Sequence, residues 1–398
     1  MKLKTIEDID VSGKVVLVRC DFNVPINDEG EISDISRIER HAPTIITLVN
    51  KGAKVALLSH FGRPAGKVDE DLSLGFISES LTEVFKAPEI VIIPDCIGNV
   101  AKQVLNDMTD GQIGLLENVR FYEGEENNDS DFSKSLADIA DIYVNDAFSV
   151  CHREHASVHG ITNYLPSYAG FALQLEIEML EKSLRNSEPP MMAIIGGSKV
   201  STKLKLLGNL VKKMKFLAIG GGMANTFLAA QGKNIGASFY EKNMIEEAKI
   251  ILKKAKSTNC DIILPIDAVV ANKLEFNVES FTVNLNDIVK ENMILDVGEK
   301  TVDLISNAII NSKTLLWNGP LGVFEIPPFD QSTTSCALTA AMMTRAGGLL
   351  SVAGGGDTVA ALNNAGAAGG FSYVSVAGGA FLEWIEGKTL PGIAVLID

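Results

Sequence analysis

The sequence predicts an α/β fold with parallel sheets, laid out as two domains joined by a helix. Three observations lead there. Short β-branched runs alternate with longer helical patterns along most of the 398 residues, which is the grammar of βαβ units. The strands of the first half end in charged or polar side chains, whereas those of the second half end in glycine. Between the halves lies "FALQLEIEMLEKSLRNSEPP", where Leu173, Ile177, Leu180 and Leu184 recur at helical spacing before Pro189 and Pro190. A connecting helix is therefore expected over 171–188, with domains at 1–170 and 189–380. The tail "EGKTLPGIAVLID" stays apolar almost to its end and is expected to dock on a domain.

Composition narrows the classes of function. Hydrophobic residues make up 46% of the chain and the formal net charge is −15, so general binding to nucleic acid or to anionic membranes is not expected. Five scattered cysteines without a C-x-x-C pattern read as reduced thiols. The opening "MKLKTIEDID" lacks a signal-peptide core, and no apolar run reaches bilayer length; a cytoplasmic protein is expected.

In open parallel sheets ligands bind beyond the carboxyl ends of the strands, so the residues following each strand carry the argument. In the first half "KVVLVRCDFNVP" supplies Arg19, Asp21 and Asn23, and "AKVALLSHFGRPAGK" supplies His60 and Arg63. "QIGLLENVRFYEGEE" adds Asn118 and Arg120, and "DIYVNDAFSVCHREHAS" adds Asp146, His152 and Arg153. Arg37 opens a helical stretch in "DISRIERHAP". In so acidic a chain, Arg37, His60, Arg63, Arg120, His152 and Arg153 form a basic patch if the strands lie side by side. Arginine forks grip phosphate and carboxylate, and Asp21 with Asn23 can take hydroxyls or orient an arginine. A small hydroxylated polyanion is the expected ligand.

The second half presents "MMAIIGGSK", "FLAIGGGMANTF", "LLSVAGGGDTVAAL" and "YVSVAGGAFLEW". Glycines between a strand and a helix let backbone N–H groups approach a phosphate at the positive helix end. Repeated here, they suggest a nucleotide. The dinucleotide pattern fails at Asn225 and Val359, and the Walker A pattern fails at Leu382. A nicotinamide-dependent oxidoreductase is thereby disfavoured, and a non-catalytic nucleotide sensor stays open. "IIGGSKVSTKLKLL" reads as a helix whose first turn carries Lys199, with Lys203 one turn on. Cations are misplaced at a helix start unless polyphosphate relieves them, a contact of roughly 4 kcal/mol per charge pair at about 4 Å and moderate dielectric. Asp357 in "GGGDT" suits a first-turn carboxylate or a Mg²⁺ ligand, and Glu325 in "LLWNGPLGVFE" suits a ribose contact. No nucleophile–base pair stands out, as expected where positioning and charge neutralisation do the chemistry.

These motifs resemble the phosphoglycerate kinases over essentially the whole chain: "VRCDFNVP", "SHFGRPAGK", "LLENVRFYEGEE", "VNDAFSVCHREHAS", "GGSKVSTK", "GGGMANTF", "LPIDAVVA", "LLWNGPLGVFE" and "GGGDTVAAL". The resemblance implies two Rossmann-like three-layer domains facing a cleft, a final segment 381–398 returning to the first domain, and a monomer. It implies phosphoryl transfer between ATP and the carboxylate of 3-phosphoglycerate, giving ADP and 1,3-bisphosphoglycerate, with Mg²⁺. Carried across by motif, Asp21, Asn23, Arg37, His60, Arg63, Arg120 and Arg153 would hold 3-phosphoglycerate. Lys203, Gly221, Glu325, Gly355, Gly356, Asp357 and Thr358 would hold the nucleotide, with Asp357 on the metal. Arg37, Lys199 and the helix start at Gly378 and Gly379 would neutralise the phosphoryl group in transit. The chain departs from the family pattern at Ser198, Ser332, Val376, Ala377 and Phe381.

Overall fold

The computed structural model describes residues 2–7, 9–27, 29–184 and 187–398, without the side chain of Leu184. Its strands, in chain order, are β1 (Val15–Arg19), β2 (Lys54–Leu58), β3 (Ile90–Ile92), β4 (Ile113–Leu115), β5 (Ile142–Asn145) and β6 (Ser167–Ala169). There follow β7 (Met191–Ile195), β8 (Phe216–Ile219), β9 (Asp261–Ile263), β10 (Asp267–Ala271), β11 (Phe281–Asn284) and β12 (Met293–Val297). The last three are β13 (Thr314–Asn318), β14 (Leu350–Gly354) and β15 (Tyr373–Ser375).

The chain forms two compact units, one of Met1–Glu178 with Thr389–Asp398 and the other of Met179–Lys388. The division falls inside the helix Phe171–Leu184, where Leu173, Ile177 and Leu180 are buried. The fourth residue of that set, Leu184, and positions 185 and 186 of the expected helical span lie outside the described side chains or residues.

In the first unit a six-stranded sheet runs β3-β4-β2-β1-β5-β6, and every pairing is parallel. Strand β1 is buried along its whole length. Its alternate residues serve opposite faces: Val16 and Val18 join one core cluster, and Val15 and Leu17 join the other. Burying each such side chain stabilises the fold by about 1.5–3 kcal/mol relative to exposure. The strand order reverses at β1, which has β2 on one side and β5 on the other. That switch point places the carboxyl ends of β4, β2, β1 and β5 side by side, the arrangement the basic patch requires. The final residues belong to this unit: Lys4 N–H bonds to the Leu396 carbonyl (2.9 Å), and Gly392 N–H bonds to that of Cys151 (3.0 Å).

The second unit repeats the architecture with the order β15-β14-β13-β7-β8-β9, again parallel throughout, and switches direction between β7 and β13. Met192, Ile194, Leu315, Trp317 and Ala353 share a single core cluster on one face. A third sheet, β11-β10-β12, is antiparallel and was not expected from the sequence. The expected boundary at 381 falls within the helix Gly378–Ile385. Its Ala380, Phe381, Trp384 and Ile385 are buried in the second unit, so the chain leaves that unit only at Thr389. Among the described residues, no helix is long and apolar enough to cross a membrane.

Candidate active site

The first unit gathers most of its expected residues into one hydrogen-bonded ledge. Asp21 follows β1 by two residues and is buried. Its Oδ2 accepts from Arg37 (2.6 Å) and from the Ser149 hydroxyl (2.7 Å). Burial alone would raise its carboxyl pKa, but the Arg37 guanidinium and these hydrogen bonds hold it below the ordinary carboxylate range, so it is a fixed anion. Arg37 stands on the short helix Ser36–Glu39, not at a strand end. Asn23 Oδ1 accepts the Gly62 N–H (2.9 Å), which joins the loops after β1 and β2.

His60 is held neutral. Arg19, fully buried at the end of β1, donates from Nη2 to His60 Nδ1 (3.1 Å); an arginine can only donate, so the imidazole proton sits on Nε2. Burial first, and the neighbouring Arg19 second, push the histidine well below its ordinary pKa. Arg19 is itself held by the Ser157 hydroxyl (2.9 Å) and the Cys20 carbonyl. Ser157 in turn donates to the buried Glu125 through its N–H (2.8 Å) and its hydroxyl (2.6 Å).

Arg120 lies in the turn Val119–Phe121 and bonds from Nη1 to the Gly62 carbonyl (2.8 Å). Its Nε is buried without a hydrogen-bond partner among the described residues, and Glu126 lies 3.5 Å away as a longer ion pair. Burial and the nearby Arg19 lower its pKa to about 10, partly offset by Glu126. A buried guanidinium with an unspent donor is a site that favours an anion. Asn118 positions this turn, donating to the carbonyls of Phe61 (2.8 Å) and Leu72 (2.9 Å). Arg63 is exposed beside Gly62, and half-buried Arg153 donates to His152 Nε2 (3.2 Å).

The second unit offers main chain. Gly355 caps the helix Gly356–Asn364 at φ 105°, a conformation glycine adopts freely. The first described intrahelical bond there runs from Val359 N–H to the Gly355 carbonyl (2.9 Å), so the N–H groups of Gly356, Asp357 and Thr358 precede the ladder. A Cβ built on Gly356 would meet nothing within 4 Å, which makes this an open piece of backbone. Gly378, at the start of the next helix, lies beside it: its Cβ position is 4.0 Å from Gly355 Cα. Gly379 is exposed. Phe381 is fully buried with its ring against Gly354, so this departure from the family pattern fills the core behind the glycines.

Lys203 reaches back to these strand ends. Its Nζ donates to the Gly196 carbonyl (2.6 Å) and Asn318 Oδ1 (2.6 Å), and Asn318 Nδ2 donates to the Gly354 carbonyl (2.6 Å). Burial lowers its pKa to about 8 despite the opposing pull of Asp357. Gly197, Ser198, Gly221, Gly222, Glu325 and Asp357 line a cavity of about 290 Å³, together with Pro265, Ile294 and Leu321. Asp296 also lines it. Burial raises this carboxyl to about 7, against hydrogen bonds from the Ser332 N–H (3.1 Å) and hydroxyl. Ser332, one of the departures noted in the sequence, thus has a structural partner.

Three sequence expectations need correction or refinement here. The helix after the "GGSK" loop starts at Leu204, with Lys203 at its N-cap, so Lys199 stands on an exposed loop and not in a first turn. The cause is non-local. Glu241 accepts the Ser201 N–H (2.9 Å) and hydroxyl (2.6 Å), and Val200 is buried, which holds 199–203 in a turn. The Thr358 hydroxyl already bonds the Gly319 N–H (2.7 Å) and the Gly354 carbonyl (2.9 Å), leaving its main chain for a ligand. The Gly221 N–H is likewise engaged by the Leu321 carbonyl (2.7 Å) at φ +63°, so this glycine permits close packing beside the cavity. Sequence reasoning placed Arg19 at a strand end without giving it a role in the site, and passed over Glu125, Asn318, Glu241 and Asp296. Of these Asn318 carried the same signal, as the last residue of β13.

Buried basic groups at the carboxyl edge of one doubly wound sheet, and opened helix starts at the same edge of another, define a class: two-domain α/β enzymes that handle phosphorylated ligands. The model of the family described as phosphoglycerate kinase matches residues 6–388, and the chain belongs to the phosphoglycerate kinase family. It is 51% identical over 396 residues to the phosphoglycerate kinase of Caulobacter vibrioides (strain NA1000 / CB15N), covering 100% of both chains. With that of Rhizobium meliloti (strain 1021) it shares 54% over 397 residues, covering 100% of this chain and 99% of the relative. The solved phosphoglycerate kinase from Coxiella burnetii superposes with a TM-score of 0.89 at 38% identity, covering 99% of each chain. That from Pyrococcus horikoshii OT3 superposes with a TM-score of 0.85 at 27% identity, over 99% and 98%. The chain is accordingly a kinase.

Proposed function

We propose that this chain carries a phosphoryl group reversibly between ATP and the carboxylate of 3-phosphoglycerate, forming ADP and 1,3-bisphosphoglycerate in glycolysis. The observation that carries the assignment of sites is the contrast between the buried, underused Arg120 and the open main chain at Gly356. In this reading Arg37, Arg63, Arg120 and Arg153 hold the acid's anionic groups, and the Nε2–H of neutral His60 donates to it. Asp21 and Asn23 orient arginine and hydroxyl. Gly355, Gly356, Asp357 and Thr358 receive nucleotide phosphate on their backbone, Lys203 supplies nearby charge, Gly221 shapes the cavity, and Glu325 meets the ribose. Arg37, Lys199 and the N–H groups at Gly378 and Gly379 stabilise the charge of the group in flight.

A Mg²⁺ ion fits this chemistry. Asp357 is an exposed first-turn carboxylate, and no group of three or more potential metal ligands occurs among the described residues, so the ion would take Asp357, phosphate oxygens and water. Bound there it would offset negative charge on the nucleotide phosphates.

Each ligand belongs to its own compact unit, so transfer requires the units to close on both, which also keeps water from the acyl phosphate. Buried, unpaired cysteines agree with a reducing cytoplasm, and we read the protein as a monomer. A coupled assay should show ATP consumption that depends on 3-phosphoglycerate. ATP consumption indifferent to that acid would overturn the reading.

A further inference from the structure

We propose that His41 is a positioning residue for the acceptor site, holding Asp21 through its main chain and tying it to the cap of the helix Phe171–Leu184. This rests on the function proposed above. His41 is buried just beyond the short helix that carries Arg37. Its Nε2 accepts the Asp21 N–H (3.0 Å), and its Nδ1 lies 2.7 Å from Asp146 Oδ2. A backbone amide can only donate, so Nε2 is bare and the proton sits on Nδ1, which donates to Asp146. The ring also packs in a T-shaped pair with Phe22, with centroids 5.6 Å apart and planes at 84°.

The other end of this relay is equally fixed. Asp146 Oδ1 accepts the Thr44 hydroxyl (3.0 Å) and the Ala172 N–H (2.9 Å), while the Thr44 oxygen accepts the Phe171 N–H (2.8 Å). Two orphan donors of the helix start are thereby satisfied, one by the carboxylate that meets His41 and one by the hydroxyl bound to that carboxylate. There is no slack in the arrangement: a Cβ on Gly170 would fall 2.1 Å from Asp146 Oδ1. Asp21, whose carboxylate holds Arg37 and Ser149, is thus tied to the helix cap through one imidazole whose two nitrogens are both committed. A histidine that merely filled space would not need this pairing.

The test combines steady-state kinetics, varied in each substrate, with long-range ¹H–¹⁵N spectra of the imidazoles. The spectra should show His41 as the Nδ1–H tautomer in the intact chain, whether or not turnover is observed; an Nε2–H tautomer overturns the proposal. His41→Ala should raise the KM for 3-phosphoglycerate about tenfold, as expected when a buried hydrogen-bonded link is cut, with the KM for ATP nearly unchanged. His41→Gln, whose amide oxygen can take the Asp21 N–H, should recover most of that loss. If His41→Ala does not fold, Asp146→Asn serves instead. Its amide sets a donor against Nδ1–H, driving the ring to the other tautomer and raising the same KM about tenfold. An unchanged KM for the acid, equal rises for both substrates, or no recovery in His41→Gln would each contradict the role. Failure of the function itself would show differently, as no acid-dependent turnover in the unaltered chain.

Discussion

The two units solve one electrostatic problem by opposite means. The first sets charged side chains at its sheet edge, several of them buried, and that choice requires buried counter-charges. Asp21 balances Arg37, and Glu125 lies behind Arg19 through Ser157. The second exposes main chain, whose dipoles need no counter-ion, and holds a half-buried lysine among carbonyl and amide oxygens. The difference teaches where each is fragile. A side-chain ledge breaks when an atom is removed, and a backbone ledge breaks when an atom is added.

The largest expected effect separates the two lysines of the second unit. Lys199, exposed on its loop, acts in the proposed mechanism on the group in flight, so Lys199→Ala should lower kcat about 10²–10³-fold, with little change in nucleotide affinity. Lys203→Ala should weaken both, because Lys203 also anchors Gly196 and Asn318. Stopped-flow nucleotide binding beside steady-state rates measures the split, and equal small losses would remove the division of roles.

A second effect sharpens the contrast through pH. The Lys203 ammonium loses its proton near pH 8, and anionic phosphate favours the charged form. Nucleotide affinity should therefore hold steady below about 8 and fall severalfold over the next unit. Lys203→Arg, charged throughout, should flatten that profile in fluorescence titrations. A wild-type profile that stays flat to pH 9.5 would count against Lys203 as a source of binding charge.

How much of this was legible in the sequence follows from which contacts are local. Strand ends such as Asp21, His60 and Gly355 could be read because a βαβ pattern fixes what lies at the carboxyl edge. The place of Lys199 could not, because Glu241 holds Ser201 from forty positions away. Nor could the engaged hydroxyl of Thr358, whose partner Gly319 follows a different strand. The third sheet escaped because β11 is short and mostly exposed, with no apolar alternation to announce it. Arg19 stood in plain sight at a strand end, yet its task of fixing the His60 tautomer depends on a packing partner across the sheet.

The smallest effect concerns the wall of the cavity. Burial raises the Asp296 carboxyl to about 7 from an ordinary 3.8, so the folded state prefers the proton. Stability from this group is complete below about pH 4 and is lost as pH rises through 7. Asp296→Asn cannot titrate. Its melting temperature relative to the unaltered chain should rise by a few degrees between pH 4 and 8, measured by calorimetry. A constant difference would show that Asp296 is ionised throughout.

The central claim, side chains for the acid and main chain for the nucleotide, is tested most directly by crossing two variants with two ligands in titration calorimetry. Arg120→Ala removes a guanidinium from the first unit, and Gly356→Ala adds a methyl where the folded chain has open space. Arg120→Ala should weaken 3-phosphoglycerate at least about tenfold and leave ATP binding unchanged, while Gly356→Ala should do the reverse. If Gly356→Ala bound ATP as tightly as the unaltered chain, or if either variant weakened both ligands alike, the division of labour between the two units would be contradicted.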